Sequence, residues 1–321
     1  MENESSILLS VLLFSYNEEK YIEQAIESIL MQKTDFAFEV IIHDDASTDS
    51  SAEIIKKYES KYPDIIRGIY QKENKYQKGI YIIGEYVYPV ARGKYVAYCD
   101  GDDYWTDEHK LQKQVDFLET HQEYVLCTHG FSFLYENSQK KRDNHTYNCN
   151  RDIATESFIN WDGMRVPQLG TWVFRKEFAV NRPDPFKVIR VENVLTISDQ
   201  PLGLFLALNG KAWYMDEIMS VWRRYPTSVS TGMVQKNGIA FCESKITFLE
   251  RAKKVFDNRY GADFEEEIEK QRMNIQLYRK NYRTAAKMPA FRTASLSTKL
   301  KICIGCISPK LVDFLRSRFQ K

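Results

Sequence analysis

Asp100, Gly101, Asp102 and Asp103 stand together directly after an apolar, β-prone run, "KYVAYC" at 94–99. Carboxylates at Asp-x-Asp spacing repel one another unless a cation lies between them. Hard oxygen ligands select Mg2+ or Mn2+, ions that keep some of their water and share substrate phosphates. The spacing therefore points to a divalent metal joining the protein to a phosphate-bearing ligand, with Asp100, Asp102 and the adjacent Asp103 as candidate ligands. Gly101 allows the backbone to turn tightly beside that ligand. The competing reading is a solvated acidic turn ahead of the next helix, and Asp107 suits that role as an N-cap. A calcium EF-hand is excluded, because the twelfth position of the loop is Leu111 rather than Glu.

Two more polar clusters share this placement. Ser15-Tyr16-Asn17-Glu18 follows the apolar run 7–14, and Asp44-Asp45-Ala46-Ser47-Thr48-Asp49 follows the run 38–43. Ligands of open α/β sheets bind outside the carboxyl ends of the strands. A sheet that brings these three strand ends to one edge makes one site of them.

The flanking elements predict such a sheet. "ILLSVLLF" at 7–14 is continuously apolar, as a strand covered on both faces must be. Within 18–32, Ile22, Ala25, Ile26, Ile29 and Leu30 recur at helical spacing. The pattern continues with a strand at 38–43, a helix at 50–62 closed by Pro63, and a strand at 65–70. A helix over 79–91, the strand 94–99 and a helix from about Leu111 to His121 complete it. This alternation predicts an α/β, Rossmann-like fold with a mostly parallel sheet and helices on both faces. The polar stretch 136–152 reads as a loop. Order resumes at 170–178, in a helix at 198–210 and in two strands, 211–215 and 218–224. From about Gln235 helical patterns dominate. The expected organisation is an α/β half at 1–130, a second half of the same domain at 131–234, and a helical C-terminal extension at 235–321.

Composition narrows the function. Among 321 residues, 45 Lys and Arg balance 44 Asp and Glu for a formal charge of +1, so no basic excess argues for nucleic acid. The N-terminus lacks the basic region and small-residue cleavage site of a signal peptide. Its apolar run is also far shorter than the ~20 residues of a membrane helix. Six cysteines, mostly isolated, suit a reducing cytosol. Cys303 and Cys306 form one close pair, but no second pair completes a zinc site, and Cys149 with His145 does not supply it. The C-terminal tail sets Lys299, Lys301, Lys310, Arg316, Arg318 and Lys321 around an apolar face. Such a face either rests on an anionic membrane or packs on its own domain. The expected location is the cytosol, including the inner face of the cell membrane.

The segments "SVLLFSYNEEKYIEQAIESILMQ", "EVIIHDDASTDSS" and "ARGKYVAYCDGDDYW…KLQKQVDFL" resemble, in order, the nucleotide-binding half of family 2 glycosyltransferases. The likeness runs over roughly residues 6 to 230. It implies the GT-A fold and a metal-dependent, inverting transfer from a nucleotide sugar. Carried over, it implies that Tyr16 stacks on the base with Phe14 beside it, and that Asp45 accepts from a uracil imide. Ser15, Asn17 and Glu18 belong to the same nucleotide-sugar pocket, and Asp44 holds the turn. Asp100 and Asp102 take the ribose–diphosphate and the Mn2+ or Mg2+, with Asp103 adjacent. "TISDQPLGLFLALNGKAWYMDEIMSVWRRYPTSVS" resembles the acceptor half, where Asp199 matches the general base. Taking a proton from a sugar hydroxyl suits a carboxylate, although Asp199 also reads as a helix N-cap. "QLGTWVFRKE" at 168–177 resembles the segment bordering donor sugar and acceptor, with Thr171 and Trp172 as candidate contacts. For Trp172, as for Trp161, a core position is an equal reading.

The sequence departs from the family in places. Ala46 stands where glycine is common. The family's Tyr-Arg-x-His segment reads Trp222-Arg223-Arg224-Tyr225, so Arg223 or Arg224 replaces histidine as the diphosphate contact. No Gln-x-x-Arg-Trp motif or membrane span is present, which argues against a processive synthase. The implied partners are a UDP-sugar donor and a glycan or lipid-linked glycan acceptor, in bacterial-type surface polysaccharide assembly. One alternative is a non-catalytic nucleotide-sugar-binding protein. The other is an Asp-x-Asp phosphohydrolase, which would carry its motif after the first strand rather than the fourth.

Overall fold

The computed structural model describes residues 7–312 apart from 162–165, 192–194, 198, 226–228 and 257–258, with the backbone path alone at 189–191, 195–197 and 229–237. The chain divides into two compact units, Met1–Pro226 and Thr227–Lys321. The first begins with β1 (Leu9–Ser15), α1 (Ile22–Leu30), β2 (Phe38–Asp44), α2 (Ser51–Lys61), β3 (Ile66–Tyr70) and β4 (Tyr95–Asp100). It continues with β5 (Tyr104–Trp105), α3 (Lys110–Thr120), β6 (Tyr124–Tyr135), β7 (Lys140–Asn144), β8 (Arg151–Ile153) and α4 (Thr155–Asn160). Last come β9 (Val173–Arg175), α5 (Lys176–Val180), β10 (Ile189–Val191), β11 (Leu195–Ile197), α6 (Asp199–Asn209) and β12 (Lys211–Arg224).

Strands β3, β2, β1 and β4 lie side by side and parallel, as their helical crossovers require. Beyond β4 the sheet is mixed: β9 runs antiparallel to β4 and β6, β12 is parallel to β6, and β5 closes the edge antiparallel to β12. Alternation along the strands separates two covered faces. Leu9, Val11, Leu13, Val40, Ile42, Tyr95 and Ala97 bury against α1, α2 and α3 in one apolar cluster. Phe14, Tyr98 and Phe174 point the other way and stack on one another, with centroids 5.9 and 5.7 Å apart. Helix α6 packs on β6 and β12.

Buried polar groups tie the strands together. Glu39 accepts hydrogen bonds from Ser10 Oγ (2.7 Å), the Arg92 N–H (2.6 Å) and Arg92 Nε (2.8 Å) near the strand starts. Buried Arg175 donates to Tyr124 O, Tyr95 Oη and Leu118 O, joining β9 to β6, β4 and α3.

Several expectations are corrected. Segment 79–91 is not an α-helix: it forms a π turn (Ile83–Val87) and a 3₁₀ turn (Tyr88–Val90). Pro89 has no N–H for an α-helical ladder. The polar stretch 136–152 contains β7 and β8, which pair with β6 and β12. The residues of β7 are largely exposed, so no apolar alternation marked them. The two strands 211–215 and 218–224 are one, β12, with a bulge between Met215 and Ile218. Asp107 lies ahead of α3 rather than at its cap position, where its carboxylate accepts the His109 N–H (2.8 Å) and Lys113 Nζ (2.7 Å).

The second unit is helical: α7 (Val229–Val255), α8 (Gly261–Tyr278), α9 (Tyr282–Ala285), α10 (Ala290–Thr293) and α11 (Leu296–Ile307). Helices α7 and α8 pack together through a buried Lys245–Glu267 pair at 2.7 Å, and Gln271 Nε2 donates to the same Glu267 oxygen.

Candidate functional site

Strand register makes the site. Phe14 lies opposite His43 and opposite Asp100, and Ser15 lies opposite Asp44, so β1, β2 and β4 end at one level. The three polar clusters therefore emerge side by side. The first two interlock: the Asn17 N–H donates to Ser47 Oγ (2.9 Å), the Thr48 N–H to Asn17 Oδ1 (2.8 Å) and the Glu18 N–H to Ser51 Oγ (2.8 Å). Asn17 holds this junction with φ +59°, which its short polar side chain tolerates. Ala46 also lies in the left-handed region, at φ +64°, a conformation that glycine adopts at less cost. The third cluster is docked by the Gly101 N–H on Phe14 O at 2.8 Å. A Cβ on Gly101 would come within 2.7 Å of that oxygen. Gly101 thus serves close contact with β1, a protein neighbour rather than a ligand.

The two aspartates of the second cluster divide the work. Asp44 accepts from the Ser47 N–H (3.0 Å) and Ser47 Oγ (2.5 Å), holding the turn. Asp45 accepts the Lys75 N–H (2.8 Å) on one oxygen and the Tyr76 N–H (3.0 Å) on the other. Each oxygen keeps a second lone pair for the expected imide. Tyr16 is 40% exposed beyond β1. Phe14 belongs instead to the aromatic stack under the site. Ser15 Oγ is buried without a hydrogen-bond partner.

The carboxylates gather here. Glu18 has its pKa raised to about 8 by burial and by the charges of Asp102, Asp100 and Asp49. Asp100 is open to solvent at the end of β4, yet the surrounding protein, with Asp102 and Asp199, raises its pKa to about 7. Burial likewise raises Asp102 and Asp199 above ordinary aspartates. Asp102 accepts a hydrogen bond from Tyr225 Oη (2.8 Å). Asp103 is buried and accepts the Arg223 N–H (2.8 Å), so it anchors β12 beside the cluster. Asp199 opens α6, and its Oδ1 accepts the Gln200 N–H (2.9 Å). Its charge reaches Asp100 and also Tyr76, which Asp45 holds in place.

The remaining candidates separate. Arg223 is buried, with its guanidinium 4.6 Å from the Tyr21 ring and 5.0 Å from Tyr104, and it donates to Gln24. Its positive charge still opposes the raised pKa of Glu18. Arg224, the next residue of the strand, lies over Trp222 at 4.7 Å instead. Thr171 and Trp172 are fully buried; Thr171 Oγ1 donates to Gln168 O, and Trp172 Nε1 to Pro167 O. Both are core residues here, which corrects their expected place at the sugar.

Tyr225 and Tyr76 join the carboxylate cluster without a motif that marks them. Tyr225 occupies the position of the family histidine, and that frame was the available signal. Tyr76 had none, because it comes near Asp199 only through the loop that Asp45 holds.

A Rossmann-like sheet with an acidic cluster across the ends of β1, β2 and β4 defines a protein of the open-sheet α/β class, in which ligands bind outside the carboxyl ends of the strands. The glycosyl transferase family 2 model matches residues 10–190, more than half of the chain, and the chain belongs to that family. A Mycobacterium tuberculosis protein of uncharacterised role is 33% identical over 217 residues, 68% of this chain and 59% of that protein. The chain thus spans less than two thirds of that relative. The Escherichia coli UDP-Glc:α-D-GlcNAc-diphosphoundecaprenol β-1,3-glucosyltransferase WfaP is 35% identical over 113 residues, 35% of this chain and 42% of its own. In fold, the chain is similar to Staphylococcus aureus TarS residues 1–349 in complex with UDP-GlcNAc. The TM-score is 0.61 and the identity 16%, over 85% of this chain and 73% of that one.

Proposed function

We propose that this chain is a metal-dependent, inverting glycosyltransferase. It moves a sugar from a UDP-sugar to a hydroxyl of a glycan or lipid-linked glycan, one linkage per encounter, in surface polysaccharide assembly. The observation that carries this reading is the convergence of Asp199, at the head of α6, with the Asp100–Asp102 cluster. A base for the acceptor and a binding site for the donor diphosphate then share one cleft. The named substrates of WfaP and the nucleotide sugar bound by TarS support a uridine donor, and WfaP supports a lipid-linked acceptor.

The residues fit a divalent ion. Their donors are carboxylate oxygens, and burial together with the neighbouring negative charges raises the pKa values of Glu18 and Asp100. Among the described residues no three His, Cys, Asp or Glu side chains cage an ion unaided. Asp100 and Asp102 would hold the ion, with substrate phosphates supplying further oxygens. When bound, the ion neutralises charge on the leaving diphosphate. Tyr225 orients Asp102, and Asp103 fixes β12 alongside. Asp199 takes the proton from the acceptor hydroxyl, whose oxygen attacks the anomeric carbon opposite the leaving group. Burial has raised its pKa, the direction that strengthens a base. Tyr16 offers an exposed ring for the base.

The test is Mn2+-dependent nucleotide release from a panel of nucleotide sugars, followed by transfer with the Asp199→Asn enzyme. The expected result is UDP release, with donor affinity preserved in the variant and transfer reduced by about 100-fold or more. Undiminished transfer would leave Asp199 a helix-end residue, since asparagine keeps the contact to Gln200.

A further inference from the structure

We propose that α11 is a membrane-surface element that holds this protein on an anionic bilayer. The helix has two apolar sides. Ile302 and Gly305 are buried, and Gly305 sits against the Tyr282 ring of α9, closer than a Cβ would permit. On the opposite side Leu296, Leu300, Cys303 and Ile307 recur at spacings of four, three and four, which aligns them in one narrow stripe. Leu296 is 83% exposed, Leu300 58% and Ile307 87%, and Leu311 beyond the helix is 44% exposed. Scattered apolar residues need no explanation, but a stripe of this kind on one helix marks an interaction surface.

The charge around the stripe selects the occupant. From Lys270 to Val312 the sequence has ten Lys or Arg residues and no Asp or Glu, although the whole chain carries a formal charge of only +1. Lys301 and Lys310 are exposed near the stripe, as are Arg283, Lys287 and Arg292 on the preceding segments. A second copy docking by the same face would set two such basic surfaces against each other. An anionic bilayer instead receives the apolar stripe below its headgroups while the lysine stems extend to the phosphates. No helix among the described residues is long and apolar enough to cross a membrane, so the helix would lie along the surface. Arg316, Arg318 and Lys321 of the tail fall outside the described residues.

The experiment is sedimentation of the full chain with vesicles of phosphatidylcholine alone or mixed with phosphatidylglycerol. Binding is expected only to the anionic vesicles, with release by added salt. The variant carrying Leu300→Gln and Ile307→Gln leaves the charge and the buried Ile302 side intact. It should bind at least about 10-fold more weakly at an unchanged melting temperature. Leu300→Met, which keeps the stripe apolar, should bind as the parent does. Failure to bind anionic vesicles overturns the proposal. So does binding that survives the double substitution, or a dimer in light scattering that the substitution dissolves, or an acidic protein that competes the vesicles away. None of these readouts depends on sugar transfer, so the outcome is independent of the proposed activity.

Discussion

Tyr225 carries the most information of any single residue in the site. Its hydroxyl donates to the Asp102 carboxylate at 2.8 Å, and its ring lies near Tyr21 with centroids 6.5 Å apart. A hydrogen bond to a carboxylate fixes which oxygen faces the cleft and favours the charged form. Burial nevertheless leaves Asp102 with a raised pKa. Tyr225→Phe removes the hydroxyl and keeps the ring. Affinity for Mn2+ with UDP should fall by about 10-fold or more, the usual scale for losing a group that orients a metal ligand. Titration calorimetry checks this, and a change confined to melting temperature would make Tyr225 a packing residue only. Arg223 shows how packing sets the reach of a charge. Its guanidinium is held between two tyrosine rings and Gln24, so it acts on the carboxylates as a fixed field.

At the scale of elements, the site depends on how β4 leaves the sheet. The β4 strand must turn within one residue of Asp100 while its backbone stays hydrogen-bonded to Phe14 of β1. Only a residue without a Cβ fits, since the added carbon would stand 2.7 Å from Phe14 O, a backbone atom that cannot swing away. Gly101→Ala should therefore displace the Asp100–Asp102 turn. A loss of about 1–3 kcal/mol in denaturant unfolding is expected, the scale of overpacking. Nucleotide binding should fall with it, and an unchanged unfolding midpoint would mean that the turn has room.

At the scale of the whole molecule, the cleft stores unfavourable charge that pH should reveal. Glu18 and Asp100 have folded-state pKa values of about 8 and about 7, against ordinary values of 4.5 and 3.8. Between those limits the folded state holds more protons than the unfolded state, so rising pH destabilises the fold. Buried Lys110, lowered from 10.5 to about 7, has the opposite sign and acts above pH 7. With chelator present, the melting temperature should fall as pH rises from about 5 to about 7, and Glu18→Gln should flatten that slope. Mn2+ with UDP should raise the melting temperature most at the alkaline end, where the carboxylates are charged. A flat profile in the metal-free protein would show that solvent already relieves the repulsion.

Much of this was legible in the sequence, for a physical reason. Apolar runs at 7–14, 38–43 and 94–99 are short and rich in β-formers, which favours strands over buried helices. The connections of at least a dozen residues between them suit parallel crossovers. Those local patterns determined the first half of the sheet and put three polar clusters at its carboxyl edge. They also marked Asp100 and Asp102 by residue type and position, whereas Asp199 was marked only by the family resemblance. What the sequence could not express was side-chain engagement, which depends on neighbours far along the chain. Asp45 spends one lone pair of each oxygen on a loop thirty residues away. Trp172 turns inward against Trp161 and Phe158. Polar β7 and β8 are strands only because β6 and β12 offer them edges, and Tyr225 meets Asp102 across 123 positions. Local periodicity records which face of an element is buried; tertiary packing alone decided which polar groups met each other and which remained for a ligand.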